Sequence, residues 1–542
     1  MSKKFQYSCG CSFDVLPDST DEHIHINFDP TIEHIHLDCS KTWQLISDGN
    51  TKGCFQLESR LGKSMAKKLK PENIEQLSAL IAILRPGCLE AMREGKSVSN
   101  HYIDKKNGKE SVDYYHPVLE ESLKNTYGEM IYQEQAMEIA RTVAGFDLQE
   151  ADMLRKAIGK KKPEEMAKIK VKFIKGCEKV GTVSVDQAEE IFGWIEKSQR
   201  YSFNKSHSVS YAINAYLSAF AKAHFPKIFF ASYLRFAKDK IDPKAEIKEL
   251  VQNASEMDVS VSIPDIRNLN KLFVLKNEKI YFGLTDIKGF GQSVFDKLIN
   301  IKNTKHLDFE TMNWIEMLLQ VLMNINSISA KALIQSGSLS YLNKSRACML
   351  FEFNLASELT KKEAEFILIN IQKYKSLGDG LYDLYHNGKS NKNRKSIILG
   401  LINNYNKPPH SLEDNPEWIS DTEDEILGCS ITCSKVDMYD ITMTNTTCKD
   451  FKTSLMSDNL ILCGEIDNLS VTKTKTGKNP GLEMSFVTLS DGTGVLDSVI
   501  FFPEAYKAYR NILFQGNVII VKGSRSKNGD SFIVEKTYIP KT

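Results

Sequence analysis

At 542 residues the chain has room for three or four domains, and 42% hydrophobic with 26% charged residues is a globular composition. Seventy Lys/Arg against 69 Asp/Glu leave a net charge of +1, which excludes a uniformly basic coat but not a local basic channel. Eleven scattered Cys suit a reducing compartment, and neither a membrane-length apolar run nor an apolar signal core is present, so a cytoplasmic protein without membrane contact is expected.

Residues 1–41 hold Cys9, Cys11, His23, His25, His34, His36 and Cys39. Zinc on Cys9, Cys11, His34, His36 and Cys39 is one reading. The spacing favours the other, a small β element: C-x-C is not the usual C-x2–4-C knuckle, and H-x-H alternates as a strand does. From 42 to 245 the periodicity is helical. Ile74, Leu77, Leu80, Ile81 and Leu84 make one apolar stripe, which ends at Pro86-Gly87. Arg85, beside that turn, is placed for a phosphate or for a structural carbonyl. Gln56 and Ser59, like Tyr132, Gln133 and Gln135, suit either a ligand or a cap.

Between Arg155 and Lys175 stand nine Lys/Arg and two Asp/Glu. Arg155, Lys156, Lys160, Lys161 and Lys162 cluster around Gly159. Pro163 suits the first position of a new helix, and Glu164 and Glu165 its positive end. Such a helix–turn–helix junction suits a polyanion, with a solvated face as the plain alternative. Asn204, Lys205, Ser206 and His207 then precede an apolar helical pattern, with Ser206 or Ser208 as its expected cap. Lys and His at a helix N-terminus suit phosphate and sugar.

At these residues the chain resembles a family. LRKAIGKKKPEEMAK (154–168) and YSFNKSHSVSYA (201–212) look like the fingers of the alpha subunit of bacterial replicative DNA polymerase III, a C-family DNA polymerase. GCFQLESR (53–60), LIAILRPG (80–87) and YGEMIYQEQAM (127–137) resemble the same fingers and occur in the same order. Each block alone is weak; their ordered combination is specific.

The resemblance continues, more weakly, to the C-terminus. VSIPDIRNLN (261–270) resembles a connector. Lys288, Gly289, Phe290 and Gly291 lie in a helix-hairpin-helix signature, whose glycines expose backbone N–H groups to a DNA phosphate. Residues 327–342 resemble a second, degenerate hairpin with Gly337 as its helix stop. SNKNRKS (390–396) is expected to be a basic, solvent-facing loop. Residues 411–427, with seven acidic and no basic residues, read as a solvated linker. A sliding-clamp peptide has no good match, GLYDLY (380–385) being a poor one. After Asn459 the pattern turns to period two and resembles the family's OB-fold. There Lys473, Lys475, Lys478 and Arg525 are DNA-binding candidates, and Phe501 and Phe502 are expected in the core.

The expected fold is therefore multidomain: mainly α-helical fingers, a helix-hairpin-helix module and a C-terminal all-β OB-fold barrel. The expected divisions are 1–41, 42–245, 246–345, 346–457 and 458–542. By resemblance, Arg155, Lys156, Lys160, Lys161, Lys162, Asn204, Lys205, Ser206, His207 and Arg85 would hold an incoming dNTP, and primer-template or single-stranded DNA would be the macromolecular partner. The family's palm carries three carboxylates that hold two metal ions and precede GCFQLESR. No matching D-x-D is found, and Asp29 is a candidate by position only. Two-metal phosphoryl transfer needs such carboxylates around Mg²⁺. The expectation is thus one half of a split polymerase whose palm, with its Mg²⁺, comes from a separate chain. A non-catalytic DNA-binding accessory protein is the alternative.

Overall fold

A computed structural model describes residues 3–6, 12–15, 37–160, 163–198, 201–453, 456–474, 480–527 and 531–541, the first two segments as backbone only. It forms two compact units, Met1–Phe225 and Pro226–Thr542.

The first unit opens with β1 (Lys3–Gln6) and β2 (Ser12–Val15), paired antiparallel with Lys3 opposite Val15. Of the Cys/His candidates, Cys9, Cys11, His34 and His36 lie outside the described residues, as does Asp29. Helices follow: α1 (Ser40–Ser47), α2 (Arg60–Leu69), α3 (Ile74–Ile83) and α4 (Pro86–Glu90). Their starts are chemically marked. Ser59 Oγ accepts the Gly62 N–H at 3.0 Å, and Asn73 Oδ1 accepts that of Gln76 at 2.9 Å. The predicted apolar stripe is the buried body of α3. Pro86 does more than end it: it opens α4, with Arg85 as the N-cap residue.

A two-residue hairpin, β3 (Met92–Arg93) and β4 (Lys96–Ser97), leads into α5 (Val98–Lys106) and α6 (Glu120–Leu123). Next come α7 (Gln133–Ala144), α8 (Leu148–Lys160), α9 (Pro163–Val180) and α10 (Val185–Ser198). These four share a core of Leu154, Phe146, Phe173, Ile191 and Phe192. Pro163 opens α9 as expected, whereas α8 runs through Gly159, so the junction lies after Lys160. The long α11 (Lys205–His224) packs on α1 and α3. Its cap is Asn204, whose Oδ1 accepts the His207 N–H at 2.9 Å; neither Ser206 nor Ser208 serves. Ser208 is buried and donates to Ser78 O at 2.6 Å, because it faces α3.

In the second unit α12 (Pro226–Phe236) and α13 (Pro243–Glu256) pack on a sheet of order β5-β7-β6. Here β5 (Val261–Ser262) runs parallel and β6 (Val274–Lys276) antiparallel to β7 (Lys279–Tyr281). The compact-unit boundary thus falls at Phe225/Pro226, twenty residues before the expected one, because α12 packs on the sheet that follows it. A 3-10 turn (Leu284–Asp286), the 287–291 hairpin and α14 (Gln292–Lys305) come next, then α15 (Trp314–Glu316) and α16 (Ser327–Gln335). Gly337, at φ +76°, lies just past the end of α16, as its sequence position predicted.

Helices α17 (Arg346–Ser357), α18 (Lys361–Ile369), α19 (Leu377–Asn387), α20 (Lys392–Asn406) and α21 (Pro416–Leu427) complete this helical region. Two expectations are corrected here. SNKNRKS is not a loop: Asn391 caps α20, and Arg394 bonds Glu363. The acidic 411–427 segment is not a solvated linker: α21 buries Ile419, Glu423, Ile426 and Leu427. GLYDLY lies within α19 with Leu381 and Leu384 buried, so it offers no extended peptide.

After α22 (Cys448–Thr453), five strands close a barrel: β8 (Leu460–Lys473), β9 (Glu483–Ser490), β10 (Val495–Phe501), β11 (Val518–Arg525) and β12 (Phe532–Tyr538). The order around it is β10-β12-β11-β8-β9, with only β10–β12 parallel. Helix α23 (Pro503–Tyr509) links the third strand to the fourth. This five-stranded circuit is an OB-type barrel. Its core takes alternate residues, Leu460, Leu462 and Ile466 on β8 and Phe532 and Val534 on β12. Phe501 is buried as expected; Phe502 is 44% exposed, because it has left the strand to precede α23.

Candidate functional site

The cleft in the first unit is built by three of the separated sequence blocks. It encloses about 410 Å³ and is lined by Gln56, Ser59, Arg85, Phe203, His207 and Tyr211, among others. Arg85 lies with its guanidinium carbon 3.8 Å from the centroid of the Phe203 ring, a stacked cation–π contact. The rings then continue in a ladder. Phe203 to His207 is 5.5 Å, His207 to Tyr211 is 4.1 Å, and Tyr211 to Phe55 is 5.0 Å between centroids. His207 and Tyr211 are one helical turn apart on α11, which aligns them. The cleft therefore offers a cation, an imidazole and π faces on one wall.

Gln56, on this cleft, has φ +63°, a left-handed conformation that costs a non-glycine residue on the order of 1 kcal/mol. Its loop is tied to α11. The Phe55 N–H donates to Ser218 Oγ at 3.0 Å. Lys222, fully buried, donates from Nζ to Asn50 O and to Lys52 O, each at 2.9 Å. Thr51 Oγ1 closes the loop on Leu57 O at 2.7 Å.

The polar run at the start of α11 is largely committed within the protein. Glu134 accepts the Lys205 N–H and the Asn204 side-chain N–H, each at 2.9 Å. Ser206 Oγ donates to Asn204 Oδ1 at 2.7 Å. Lys205 Nζ is 3.6 Å from Glu75. Of these four candidates, His207 alone lines the cleft with an exposed ring. Tyr132 and Gln135 are structural. Tyr132 is buried with its hydroxyl 3.0 Å from Ser78 Oγ, and Gln135 Oε1 accepts the N–H groups of Ile131 and Tyr132.

Arg155 and Lys156 do not line the cleft. Both reach Asp152, at 2.8 and 2.7 Å, and Lys156 with Arg155 holds that carboxyl below its ordinary range. Exposed i,i+3 and i,i+4 pairs are worth only a few tenths of a kcal/mol, so a polyanion can compete for both cations. Lys161 and Lys162 lie outside the described residues, and Lys160 is described only in its backbone.

In the second unit the hairpin has the expected glycine geometry, with Gly289 at φ +90° and Gly291 as the residue before α14. Ser329 Oγ donates to Gly289 O at 2.6 Å and fastens the hairpin to α16. Phe290 is 1% exposed, so its ring belongs to the core, and its N–H donates to Ile287 O at 3.0 Å within the turn. Lys288 is exposed, 3.3 Å from Glu425. On the barrel Lys473 is exposed at the end of β8, while Lys475 and Lys478 lie outside the described residues. Arg525 is engaged structurally: it stacks 3.9 Å over Phe451 and donates to Met456 O.

Among the described residues no group of three or more His, Cys, Asp or Glu side chains is placed to hold a metal ion. Cys39 has a partner that spacing did not suggest. Its Sγ is 3.2 Å from His224 Nε2 in the core. Burial, with Lys41 nearby, holds His224 down to about 4 from its ordinary 6.5. Protonation is thus disfavoured in the fold, so the stability contributed by neutral His224 is complete above pH 6.5 and is lost as pH falls from there toward 4. Thermal melts of the chain should show this loss, and His224→Gln should flatten it; an unchanged slope would contradict the assignment.

The chain is similar to known proteins over most of its length. Residues 14–181 match the bacterial DNA polymerase III alpha subunit finger domain, and residues 258–349 match a helix-hairpin-helix motif. The chain is 32% identical over 513 residues to DNA polymerase III subunit alpha of Aquifex aeolicus, covering 93% of this chain and 39% of that one. It is 31% identical over 528 residues to that of Pseudomonas aeruginosa (94% and 42%) and 30% over 510 residues to that of Borreliella burgdorferi (92% and 41%). Over more than nine tenths of its length the chain is therefore similar to a fingers- and hairpin-bearing part of DNA polymerase III alpha subunits, and it spans about two fifths of the length of these curated relatives.

Proposed function

We propose that this chain binds the incoming dNTP and holds primer-template DNA during template-directed DNA synthesis, as part of a DNA polymerase. The observation that carries the reading is the cleft, where Gln56, Arg85 and His207 meet from three sequence blocks about thirty and 120 residues apart. Arg85 and His207 would face phosphate and sugar, and Tyr211 offers a flat apolar face. Arg155, Lys156 and Lys160 to Lys162 add a polyanion-binding edge. Their contribution is positioning and electrostatic stabilisation, not proton transfer. We read 42–245 as fingers, its last twenty residues packing in the second unit, 246–345 as the hairpin module, 346–457 as a helical region and 458–542 as a barrel for single strands, with Lys473, Lys475 and Lys478 as its contacts. A sliding clamp is a further partner of this reading, and the cytoplasm its compartment.

The sequence before GCFQLESR carries no D-x-D. The metal-holding aspartates are therefore read as belonging to a palm outside these residues, carried by a separate chain in the split form. The same observation keeps the second reading, an accessory DNA-binding protein. Primer extension that appears only on adding a palm-bearing partner supports the first; a stable complex without extension supports the second. Replacing Arg85 and His207 together by Ala should weaken binding of a fluorescent dNTP at least tenfold, the scale of two lost polar contacts, and leave primer-template affinity nearly unchanged. Equal loss of both would remove the cleft from the reading.

A further inference from the structure

Helix α2, which begins at the last residue of GCFQLESR, carries a basic surface that the cleft does not account for. Its ten residues divide cleanly by face. Gly62, Met65, Ala66 and Leu69 are buried, at i, i+3, i+4 and i+7. Arg60, Lys63, Lys67 and Lys68 occupy the other face, at i, i+3, i+7 and i+8, and Lys70 follows at the end. From Ser59 to Pro71 there are five basic residues and no acidic one, in a chain that is otherwise almost neutral. Arg60, Lys67, Lys68 and Lys70 are exposed, and among the described residues none of the four makes an ion pair. Arg155 and Lys156, by contrast, share Asp152.

Helix stability explains the stripe only in part, since the negative end of the dipole favours Lys67 and Lys68 in the last turn. Arg60 occupies the first helical position, where the positive end of the helix disfavours a cation. At the other end the carbonyls that basic side chains often cap are served from α5. Asn107 donates to Lys68 O and Lys106 to Lys70 O, both at 2.7 Å. The lysines of α2 are thus spared capping. The stripe is also continuous with the cleft, because Ser59, the cap of α2, and Leu61 both line it.

We propose that α2 binds the sugar-phosphate backbone of a DNA strand that leads to or from the cleft. The proposal rests on the nucleotide-and-DNA reading above. A ten-residue helix is about 15 Å long, enough to meet successive phosphates of one strand. Point-charge ammonium groups with one guanidinium suit backbone contact without base readout.

The test is the triple variant Arg60→Gln, Lys67→Gln, Lys68→Gln in the full chain, which keeps the stems of exposed side chains. Anisotropy of a labelled primer-template is followed from low to moderate salt. The wild type should show a steep loss of affinity. The variant should bind more weakly, with a logarithmic salt slope smaller by about 3, as expected for three lost phosphate contacts on duplex DNA. Fluorescent dNTP binding, which reads the cleft alone, should be unchanged. If the wild type binds DNA and the variant binds it with the same slope, α2 is a solvated face and the proposal falls while the cleft reading stands. If neither protein binds DNA but both bind dNTP, both the α2 proposal and the DNA-holding part of the reading fall. Loss of binding to an acidic protein with DNA binding intact would also overturn the proposal.

Discussion

Replacing Arg346 by Ala should destabilise the helical part of the second unit by about 3–5 kcal/mol, as expected for breaking a buried ion pair from one side. The Arg346 and Glu423 side chains are 4% and 0% exposed, with Nη2 2.7 Å from Oε1. Both partners are bonded further. Arg346 also donates to Gln335 O at 2.9 Å and to Thr432 Oγ1 at 2.8 Å. Glu423 Oε2 accepts the N–H groups of Ile431 and Thr432 at 2.7 and 2.8 Å. The pair thus joins the ends of α16 and α17 to α21 and the loop after it. Gly337 belongs to the same arrangement: besides its φ of +76°, a Cβ there would stand 2.5 Å from Arg346 Nη2. Removing Arg346 leaves a carboxylate buried with only neutral donors. Replacing both partners, Arg346→Met with Glu423→Leu, should cost less than Arg346→Ala alone, because no buried charge then remains. Hydrogen exchange on the full chain separates the effect by region. Protection should fall across 327–357 and 416–433 and stay unchanged in α3 and α11. Unaltered protection around α21 would show that the pair carries no such weight.

The same pair explains why part of this fold could not be seen in the sequence. Residues 411–427 carry seven acidic side chains, and charge alone reads as solvent. What buries Glu423 is Arg346, 77 positions earlier, and nothing local signals it. Ile419, Thr422, Ile426 and Leu427 did hold a helical stripe, weaker to the eye than the charge. The basic run that opens α20 is hidden for a related reason: Arg394 is spent on Glu363 of α18. What was legible was local and chemical. Pro163 opens α9, Gly337 follows α16, the hairpin glycines take their expected conformation, and alternation gives the barrel strands. In the cleft, Gln56, Arg85 and His207 were legible one by one. Their meeting was not, and neither were Phe203 and Tyr211, whose roles come from a ring ladder across segments about 150 residues apart.

Lys222→Met should weaken dNTP binding at least tenfold without touching a ligand-facing side chain. Lys222 lies deep in α11, four turns beyond the cleft residue His207, and is completely buried. Its ammonium donates to Asn50 O, Asn50 Oδ1 and Lys52 O, at 2.9, 3.2 and 2.9 Å. Methionine keeps the stem and removes all three donors. Two backbone carbonyls are then left in a buried site, at about 1–3 kcal/mol each, partly offset because the buried charge is gone as well. A net cost of about 3 kcal/mol falls on the segment that must hold Gln56 at φ +63°, itself a strained conformation that persists only while its surroundings enforce it. The local answer to that cost is for residues 50–57 to leave α11, taking Gln56 and Phe55 from the cleft wall. Hydrogen exchange should then show lost protection at Cys54 and Leu57, while the N-terminal half of α11 stays protected. Arg85→Ala supplies the contrast, since it should lower dNTP affinity with the 50–57 loop still protected. If Lys222→Met lowers affinity with the loop equally protected, the lysine acts through something other than this loop. If it changes neither, the cleft does not depend on the 50–57 segment at all.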